Sequence, residues 1–201
     1  MIVSVVDYGL GNLGSVSNML RRIGAQVRLA RTPDDIAESE KLLLPGVGSF
    51  DTARELLEER ELVEPLIHFA KTGRPMLGIC LGMQLLLEGS DEGAAEGLGL
   101  IPGRCVRFEE SDGIRIPHMG WNTAESVGDH PILDAVEEES RFYFVHSYHA
   151  VPENPEHVLA TTIYGSPFVS IVGSENVVGA QFHPEKSHVF GMSFLRRFVE
   201  L

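Results

Sequence analysis

The stretch MLGICLGMQLLL, residues 76–87, decides the fold because a predicted strand passes directly into a predicted helix within it. Met76 to Ile79 is an apolar run that indicates a buried strand, and Leu81 to Leu87 indicates a helix behind it. Between them, GICLG (78–82) has the glycine-flanked pattern of a sharp strand-to-helix turn. Such strand–helix units build a parallel α/β sheet.

The rest of the first half repeats this alternation. Asn12 can cap a helix that ends at Gly24. Ser49 offers a cap for a long acidic helix that is broken near Pro65 and ended by Gly73. Three further apolar runs predict strands: Ile2 to Tyr8, Gln26 to Ala30 and Lys41 to Leu44. This rhythm predicts a mainly parallel sheet with helices on both faces.

The second half, from Leu100 onward, instead predicts short strands separated by turns. These strands are Arg141 to Val145, Val158 to Tyr164, Pro167 to Val172 and Val177 to Phe182. A final helix is predicted from about Val189 to Val199, and its inward-facing residues are Phe194, Leu195 and Phe198. No repeat or linker divides the chain. Residues 1–201 are therefore predicted to form a single α/β domain, with a mainly parallel central sheet, flanking helices and additional antiparallel strands in the second half.

The composition is ordinary for a folded protein but acidic. Hydrophobic residues make up 43% and charged residues 22%, and the formal charge is −13. Nucleic acid or an anionic membrane would need a basic face, so neither is expected as a partner. The N-terminal MIVSVVDYG lacks the basic region of a secretory signal, and no apolar run approaches the roughly 18 residues of a membrane span. With only two cysteines, Cys80 and Cys105, a cytoplasmic protein with reduced thiols is expected.

Cys80 is the candidate nucleophile. The pentapeptide GICLG matches the G-x-nucleophile-x-G pattern of a nucleophile elbow, with Cys in place of Ser. Glycines suit the flanking positions because a Cβ there would collide with nearby backbone. The nucleophile would lie above the sheet at the positive end of a helix dipole, which favours the thiolate. A buried structural cysteine beside two packing glycines is the alternative on these five residues alone.

His183 and Glu185 are the candidate base and orienting group, because a thiolate needs a base and the base needs a third group to hold it. His183 ends a predicted strand within QFHPE (181–185). In an extended chain, residues two apart point to the same side, so both side chains can face Cys80. Without a nucleophile at Cys80, a turn histidine beside a surface carboxylate would be the preferred interpretation.

Two glycine-containing turns can supply an oxyanion hole for a tetrahedral intermediate. The elbow offers the backbone N–H of Leu81. A second donor could come from PGVG (45–48) at the end of the third strand, because the carboxyl ends of parallel strands share one sheet edge. An ordinary turn explains PGVG equally well by itself.

Three ordered motifs over almost the whole chain resemble the class I (triad) glutamine amidotransferases: PGVG (45–48), GICLGMQLL (78–86) and QFHPE (181–185). The resemblance implies a flavodoxin-like fold, no cofactor, a γ-glutamyl thioester on Cys80 and release of ammonia from glutamine. It also implies oxyanion-hole or substrate-binding roles for Gly48, Leu81, Gln84, Ser147 and Tyr148.

Other stretches resemble one branch of that family, the glutaminase subunits of imidazole glycerol phosphate synthase. They are DYGLGNL (7–13), GLGLIPG (97–103), PHMGWN (117–122), HSYH (146–149) and FHPEKS (182–187). This branch implies a heterodimer with a separate (β/α)8-barrel cyclase subunit, which uses the ammonia in histidine biosynthesis. The implied partner contacts are Asn12, Pro117, Met119, Trp121, Asn122 and Lys186.

Two details qualify this narrower resemblance. Gly14 departs from the family pattern, which usually has a basic residue there, so a partner contact at Gly14 is in doubt. Trp121 is the only tryptophan and is expected in a Gly-Trp-Asn turn, where core packing is the alternative to a partner contact. Glutaminases that serve anthranilate, pyridoxal phosphate or purine synthesis share the triad, and only DYGLGN and PHMGWN separate this branch from them.

A dinucleotide-binding oxidoreductase is a much weaker alternative. GLGNLG (9–14) is a literal G-x-G-x-x-G after the first strand. The second strand should then end in an acid, yet it ends near Arg31, and Asp34 and Asp35 follow only after Pro33. The chain also lacks a second βαβαβ half.

Metal binding and an inactive interaction module are also disfavoured. Strand spacing would place His146 and His149 on opposite faces, and no cysteine or acidic cluster completes a metal site. An inactive module would usually have lost one of Cys80, His183 and Glu185, and all three are present.

Overall fold

The computed structural model describes residues 1–110 and 114–201. Its first strands are β1 (Ile2–Val6), β2 (Gln26–Ala30), β3 (Leu42–Gly46), β4 (Met76–Cys80), β5 (Gly89–Ser90), β6 (Gly103–Arg107) and β7 (His118–Thr123). Those that follow are β8 (Glu125–Ser126), β9 (Arg141–His146), β10 (Tyr148–Pro152), β11 (Val158–Tyr164), β12 (Ser166–Ser174) and β13 (Val177–Ala180).

Six α-helices are found in the described residues. They are α1 (Leu13–Arg22), α2 (Pro33–Ala37), α3 (Phe50–Glu59), α4 (Val63–Ala70), α5 (Leu81–Leu85) and α6 (His188–Glu200). Short 3-10 turns cover Pro131–Ala135, Pro155–His157 and Pro184–Lys186. Within the described part of the chain, none of the helices has the length and apolar character needed to cross a membrane.

The main sheet has the predicted mixture of parallel and antiparallel strands. Its strand order is β2-β1-β3-β4-β13-β12-β10-β6-β5. Outside this order, β11 pairs with β12, and β8 pairs with β11. The neighbours β2, β1, β3, β4 and β13 pair in parallel, whereas β12 runs antiparallel to β13. Strands β7 and β9 form a separate antiparallel pair. The carboxyl ends of β3, β4 and β13 therefore meet at one sheet edge, and the candidate site lies there.

Helices cover both faces of this sheet because its central strands are apolar on both sides. In β1, Val3 and Val5 belong to one buried cluster, which includes residues of α1 and α6. Val6 points to the opposite face and packs in a second cluster with residues of α3 and α4. Alternate residues of one strand thus serve two cores, as the near-continuous apolar run in β1 predicts.

The predicted long acidic helix is broken into two helices, as expected, but the break lies at residues 60–62 and not at Pro65 itself. Helix α3 ends at Glu59, and Glu61 has a positive φ of 57° that ends the α conformation. Pro65 instead lies in the first turn of α4. Proline is tolerated there because a first-turn residue needs no intrahelical N–H bond.

The predicted turn at Trp121 was also wrong, because Trp121 lies in the middle of β7. All six residues of β7 pair with β9, with Trp121 opposite Tyr143. Strand β10 also lay outside the predicted elements. Its short, mixed sequence has little apolar periodicity, and pairing with neighbours decides its conformation.

The glycine-rich turn at residues 9–14 packs closely against Pro45. A Cβ on Gly11 would lie 3.1 Å from the Cβ of Pro45. Asp35, one of two acids that follow β2, completes the capping box of α2 with Thr32: its carboxylate accepts the backbone N–H groups of Arg31 and Thr32 at 2.8 and 3.0 Å. The carboxylate of Asp35 therefore serves in helix capping. This role agrees with a turn at residues 9–14 that does not bind a dinucleotide.

Candidate active site

Cys80 lies at the tight turn between β4 and α5. Its backbone has φ 53° and ψ −110°, a conformation that non-glycine residues rarely adopt. A Cβ on Gly82 would lie 1.9 Å from the carbonyl oxygen of Leu44, and one on Gly78 would lie 2.6 Å from that of Gly82. Both glycines are therefore required by close backbone contact, as the elbow pattern predicts. The side chain of Cys80 is almost buried but lines a cavity.

His183 and Glu185 form a buried hydrogen-bonded pair directly after β13. The distance from His183 Nδ1 to Glu185 Oε1 is 2.8 Å, and both side chains are only 2% exposed. The two residues are adjacent because Pro184–Lys186 forms a 3-10 turn, and not because the chain is extended there as the sequence argument assumed. The hydroxyl of Ser187 donates to the His183 carbonyl at 2.7 Å and holds this turn.

The pKa of His183 is raised by its neighbours. Burial alone lowers it, but the side chains of Cys80 and Glu185 raise it by more, to about 10. The hydrogen bonds and charges of Cys80 and Glu185 therefore favour the protonated imidazolium. His183 Nε2 is buried and has no hydrogen-bond partner among the described residues. This nitrogen is available to transfer a proton within the site.

The PGVG turn packs directly on the elbow. Gly46 pairs with Cys80 in the sheet register, and a Cβ on Gly46 would lie 2.8 Å from the backbone nitrogen of Gly82. The buried hydroxyl of Tyr8 donates to the Pro45 carbonyl at 2.8 Å and fixes the start of this turn. Gly48 has φ 106°, which only glycine adopts readily.

One cavity of about 440 Å³ brings most of the predicted site residues together. Its lining includes these predicted residues: Gly48, Cys80, Leu81, Gln84, Pro117, Ser147, Tyr148, His183 and Lys186. Glu185 lies behind His183. The predicted partner contacts Asn12, Met119, Trp121 and Asn122 are absent from the lining. The oxyanion-hole roles of Gly48 and Leu81 stay predictions.

Gln84 and Gln181 connect the cavity wall to Cys80 by hydrogen bonds. The amide nitrogen of Gln84 donates to the Tyr148 carbonyl at 3.1 Å and to Oε1 of Gln181 at 3.3 Å. Gln181 in turn donates to the sulfur of Cys80 over 3.8 Å. The sequence analysis assigned no role to Gln181, although it opens the QFHPE motif two residues before His183.

Glu92 also lines the cavity, although no sequence motif pointed to it. Its carboxylate accepts the backbone N–H of Phe50 at 3.0 Å, at the start of α3. Burial raises the pKa of Glu92, and the Phe50 hydrogen bond offsets part of this effect. Glu92 lies in an irregular segment outside every motif, so nothing in the local sequence pointed to it.

Three of the predicted partner residues, Met119, Trp121 and Asn122, lie on strand β7, and Pro117 comes just before it. Met119 and Trp121 are 63% and 46% exposed, because alternate β7 side chains point outward. Trp121 stacks on His188 with 5.3 Å between ring centroids, and Lys186 Nζ lies 5.4 Å from the Tyr143 ring centroid. Asn12 caps α1, its side chain accepting the N–H of Ser15.

Both cysteines are free, and the described residues contain no group of three His, Cys, Asp or Glu side chains that could hold a metal ion. The site is therefore built from a thiol, an imidazole, a carboxylate and amides. This set suits acyl transfer by a covalent intermediate.

Residues 4–201 match the family model described as glutamine amidotransferase class-I. The chain belongs to this family, as the motifs predicted. Over all 201 residues, and over 100% of both chains, it is 48% identical to the imidazole glycerol phosphate synthase subunit HisH 2 of Pseudomonas aeruginosa. It is 46% identical to the HisH subunit of Desulfitobacterium hafniense, covering 98% of this chain and 93% of the relative. With HisH 2 of Methanococcus maripaludis the identity is 44%, covering 99% of each.

Solved structures show the same fold. PurLQS from Thermotoga maritima superposes with a TM-score of 0.75 at 21% identity, covering 99% of this chain and 97% of that one. A crystal structure of a glutamine amidotransferase gives a TM-score of 0.73 at 21% identity, covering 100% and 98%. The predicted class I amidotransferase fold, a mixed α/β structure with a mainly parallel central sheet, is confirmed.

Proposed function

We propose that this chain is the glutaminase subunit of an imidazole glycerol phosphate synthase, which hydrolyses glutamine to glutamate and ammonia and passes the ammonia to a cyclase subunit. The observation that carries the proposal is the buried His183–Glu185 pair beside Cys80, in a chain 44% to 48% identical to HisH subunits over nearly its whole length. The unit of function is residues 1–201 as one domain. We expect it to act in the cytoplasm, where thiols stay reduced.

The reaction proceeds through a thioester on Cys80. The thiolate attacks the side-chain amide carbon of glutamine, and backbone N–H groups of Gly48 and Leu81 stabilise the oxyanion. His183 Nε2 donates its proton to the amide nitrogen, which leaves as ammonia. The neutral imidazole then takes a proton from water, whose hydroxide attacks the thioester and releases glutamate and the Cys80 sulfur. Glu185 keeps the ring oriented through Nδ1.

The cavity wall supplies groups that suit the two ends of glutamine. Gln84 and the backbone at Ser147 and Tyr148 line one side and offer amide and carbonyl groups. Glu92 lines the same cavity and offers a carboxylate for the α-ammonium group. Glutamine is a zwitterion, so a partly buried negative charge at Glu92 is expected to improve substrate binding more than the chemical step.

Glu92→Gln is expected to raise KM for glutamine roughly tenfold to a hundredfold with kcat little changed, because a charge-assisted contact to the ammonium is lost. Steady-state glutaminase kinetics measure both constants. Glu96→Gln is the control, since Glu96 lies on the same segment but outside the cavity lining. A fall in kcat at unchanged KM would contradict the assignment of Glu92 to ground-state binding.

A partner subunit fits the exposed face of β7. Ammonia is protonated and unreactive in neutral water, so its use in synthesis favours direct transfer into a bound cyclase. Pro117 and Lys186 line the cavity, and Met119 and Trp121 continue outward from it along exposed surface. An exposed aromatic residue beside a catalytic cavity is a suitable anchor for a (β/α)8-barrel cyclase in a heterodimer.

The proposed function is tested by mixing the chain with the (β/α)8-barrel cyclase subunit of an imidazole glycerol phosphate synthase and the cyclase ligand. Glutaminase activity is expected to be low alone and to rise sharply in the mixture. Trp121→Ala should weaken the complex by more than about tenfold, measured by calorimetry, while Val127→Ala, an exposed residue outside the predicted interface, should not. Strong activity that is indifferent to the cyclase would show a stand-alone amidase instead.

A further inference from the structure

Two buried histidines outside the triad form a hydrogen-bonded chain beside the glutamine cavity. His118 Nδ1 lies 3.1 Å from His146 Nε2, and His146 Nδ1 lies 2.8 Å from the carbonyl oxygen of Tyr148. At the far end, the amide nitrogen of Asn122 lies 3.4 Å from His118 Nε2. The mechanism above uses neither ring, yet both are almost fully buried.

The donor and the acceptor of every hydrogen bond in this series can be assigned from the chemistry of the groups. The Tyr148 carbonyl can only accept, so His146 carries its proton on Nδ1. Burial lowers the pKa of His146 to about 3 and that of His118 to about 4, so both rings are neutral near pH 7. His146 Nε2 therefore accepts from His118 Nδ1, and His118 Nε2 accepts from the Asn122 amide. Each ring is held in one tautomer.

The hydrogen-bonded chain is anchored at one end and ends at the other on the backbone carbonyl of Tyr148, a residue that lines the cavity. Asn122 also donates to the carbonyl of Ile163 at 2.9 Å, which ties the chain to β11. The Tyr148 carbonyl accepts from both His146 and Gln84. A carbonyl has two lone pairs, and here both are used, so its position is set by the two donors together.

The surroundings keep the rings from rotating. His118 stacks between Phe144 and Tyr164, with ring centroids 4.8 and 4.0 Å away. His146 lies 5.1 Å from the Phe168 ring and 5.2 Å from the Phe108 ring. Rotation of either ring would break one of its hydrogen bonds. The surrounding aromatic rings offer no hydrogen-bond partner that could replace it.

From this arrangement we propose that His146, supported by His118, is a positioning residue for glutamine: it holds the Tyr148 carbonyl, and through it Gln84, in the geometry that binds the substrate. The inference rests on the proposed function, because it assumes that glutamine occupies this cavity. His146 lines the cavity, but both its ring nitrogens are used within the chain, so it acts through Tyr148 and Gln84.

Glutamine binding in a Cys80→Ser parent tests the proposal without turnover. Adding His146→Leu should raise the Kd for glutamine about tenfold by calorimetry, the effect of losing one buried hydrogen bond. Adding His146→Asn should recover most of the affinity, because the asparagine amide nitrogen can replace Nδ1 as donor to Tyr148. The matched control is His149→Leu, which removes a histidine from the same aromatic cluster but has no bond to Tyr148.

Each outcome decides a separate point. An unchanged Kd in His146→Leu, or an equal loss in His146→Asn and His146→Leu, would overturn the positioning role while leaving the proposed function intact. A loss in His149→Leu as large as that in His146→Leu would assign the effect to general packing and also overturn it. If the Cys80→Ser parent binds no glutamine, the proposed function itself fails, and this inference with it.

Discussion

Replacing Cys80 with alanine should abolish glutamine hydrolysis, with a loss in kcat of up to roughly 10⁶-fold, because the thiol that forms the acyl intermediate is removed. The fold should survive. Alanine has a Cβ like cysteine, so the positive φ at residue 80 strains both residues to a similar degree. The thiol itself contributes little packing. Ammonia release in the presence of the activating cyclase measures the effect, and thermal unfolding checks the fold.

Cys105→Ala is the matched control for this experiment. Cys105 is the other free cysteine, and it is fully buried in the core away from the cavity lining. The Cys105 variant should lose some stability but keep its kcat. Retained turnover in Cys80→Ala, or equal loss in both variants, would remove Cys80 from the mechanism.

Glu185→Gln should lower kcat/KM by roughly 10²- to 10⁴-fold and change its pH dependence. The pKa of His183 is raised, so the imidazolium persists from acid pH up to about pH 10, and activity that needs it is lost as the pH rises through that value. Removing the Glu185 charge removes one of the two causes of this rise. The alkaline limb of the pH–rate profile should therefore move to lower pH in the variant.

Glu156→Gln is a close control for Glu185→Gln. Glu156 occupies the same position in the 3-10 turn Pro155–His157 as Glu185 does in Pro184–Lys186, but it is exposed to solvent. Its pH profile should match that of the parent. An alkaline limb that does not move in Glu185→Gln would contradict the coupling of the carboxylate to His183.

Local patterns predicted the parts of the structure that depend on a few adjacent residues. The turn at Cys80 could be predicted because only glycine tolerates backbone contacts as close as those at positions 78 and 82. The alternation in the first half followed from apolar runs and caps such as Asn12. The QFHPE motif identified His183 and Glu185, although their contact depends on a 3-10 turn that the extended-chain argument did not foresee.

Features that depend on distant pairing could not be predicted in the same way. Strand β7 contains Gly120 and Trp121 and has no clear alternation of apolar residues, so only its pairing with β9 makes it a strand. Glu92 reaches the cavity through a bond to Phe50, 42 residues away in the chain. The contact between His118 and His146 joins two strands whose separate sequences suggested only isolated histidines.

The account depends most on a covalent bond between the Cys80 sulfur and the γ-carbonyl of glutamine. Acid quenching of the cyclase complex during turnover, followed by peptide mass spectrometry, measures this bond directly. We predict a γ-glutamyl group on the peptide that contains Cys80, lost on treatment with hydroxylamine and absent from Cys80→Ala. Continued ammonia release with no modified Cys80, or with the group on another residue, would contradict the mechanism.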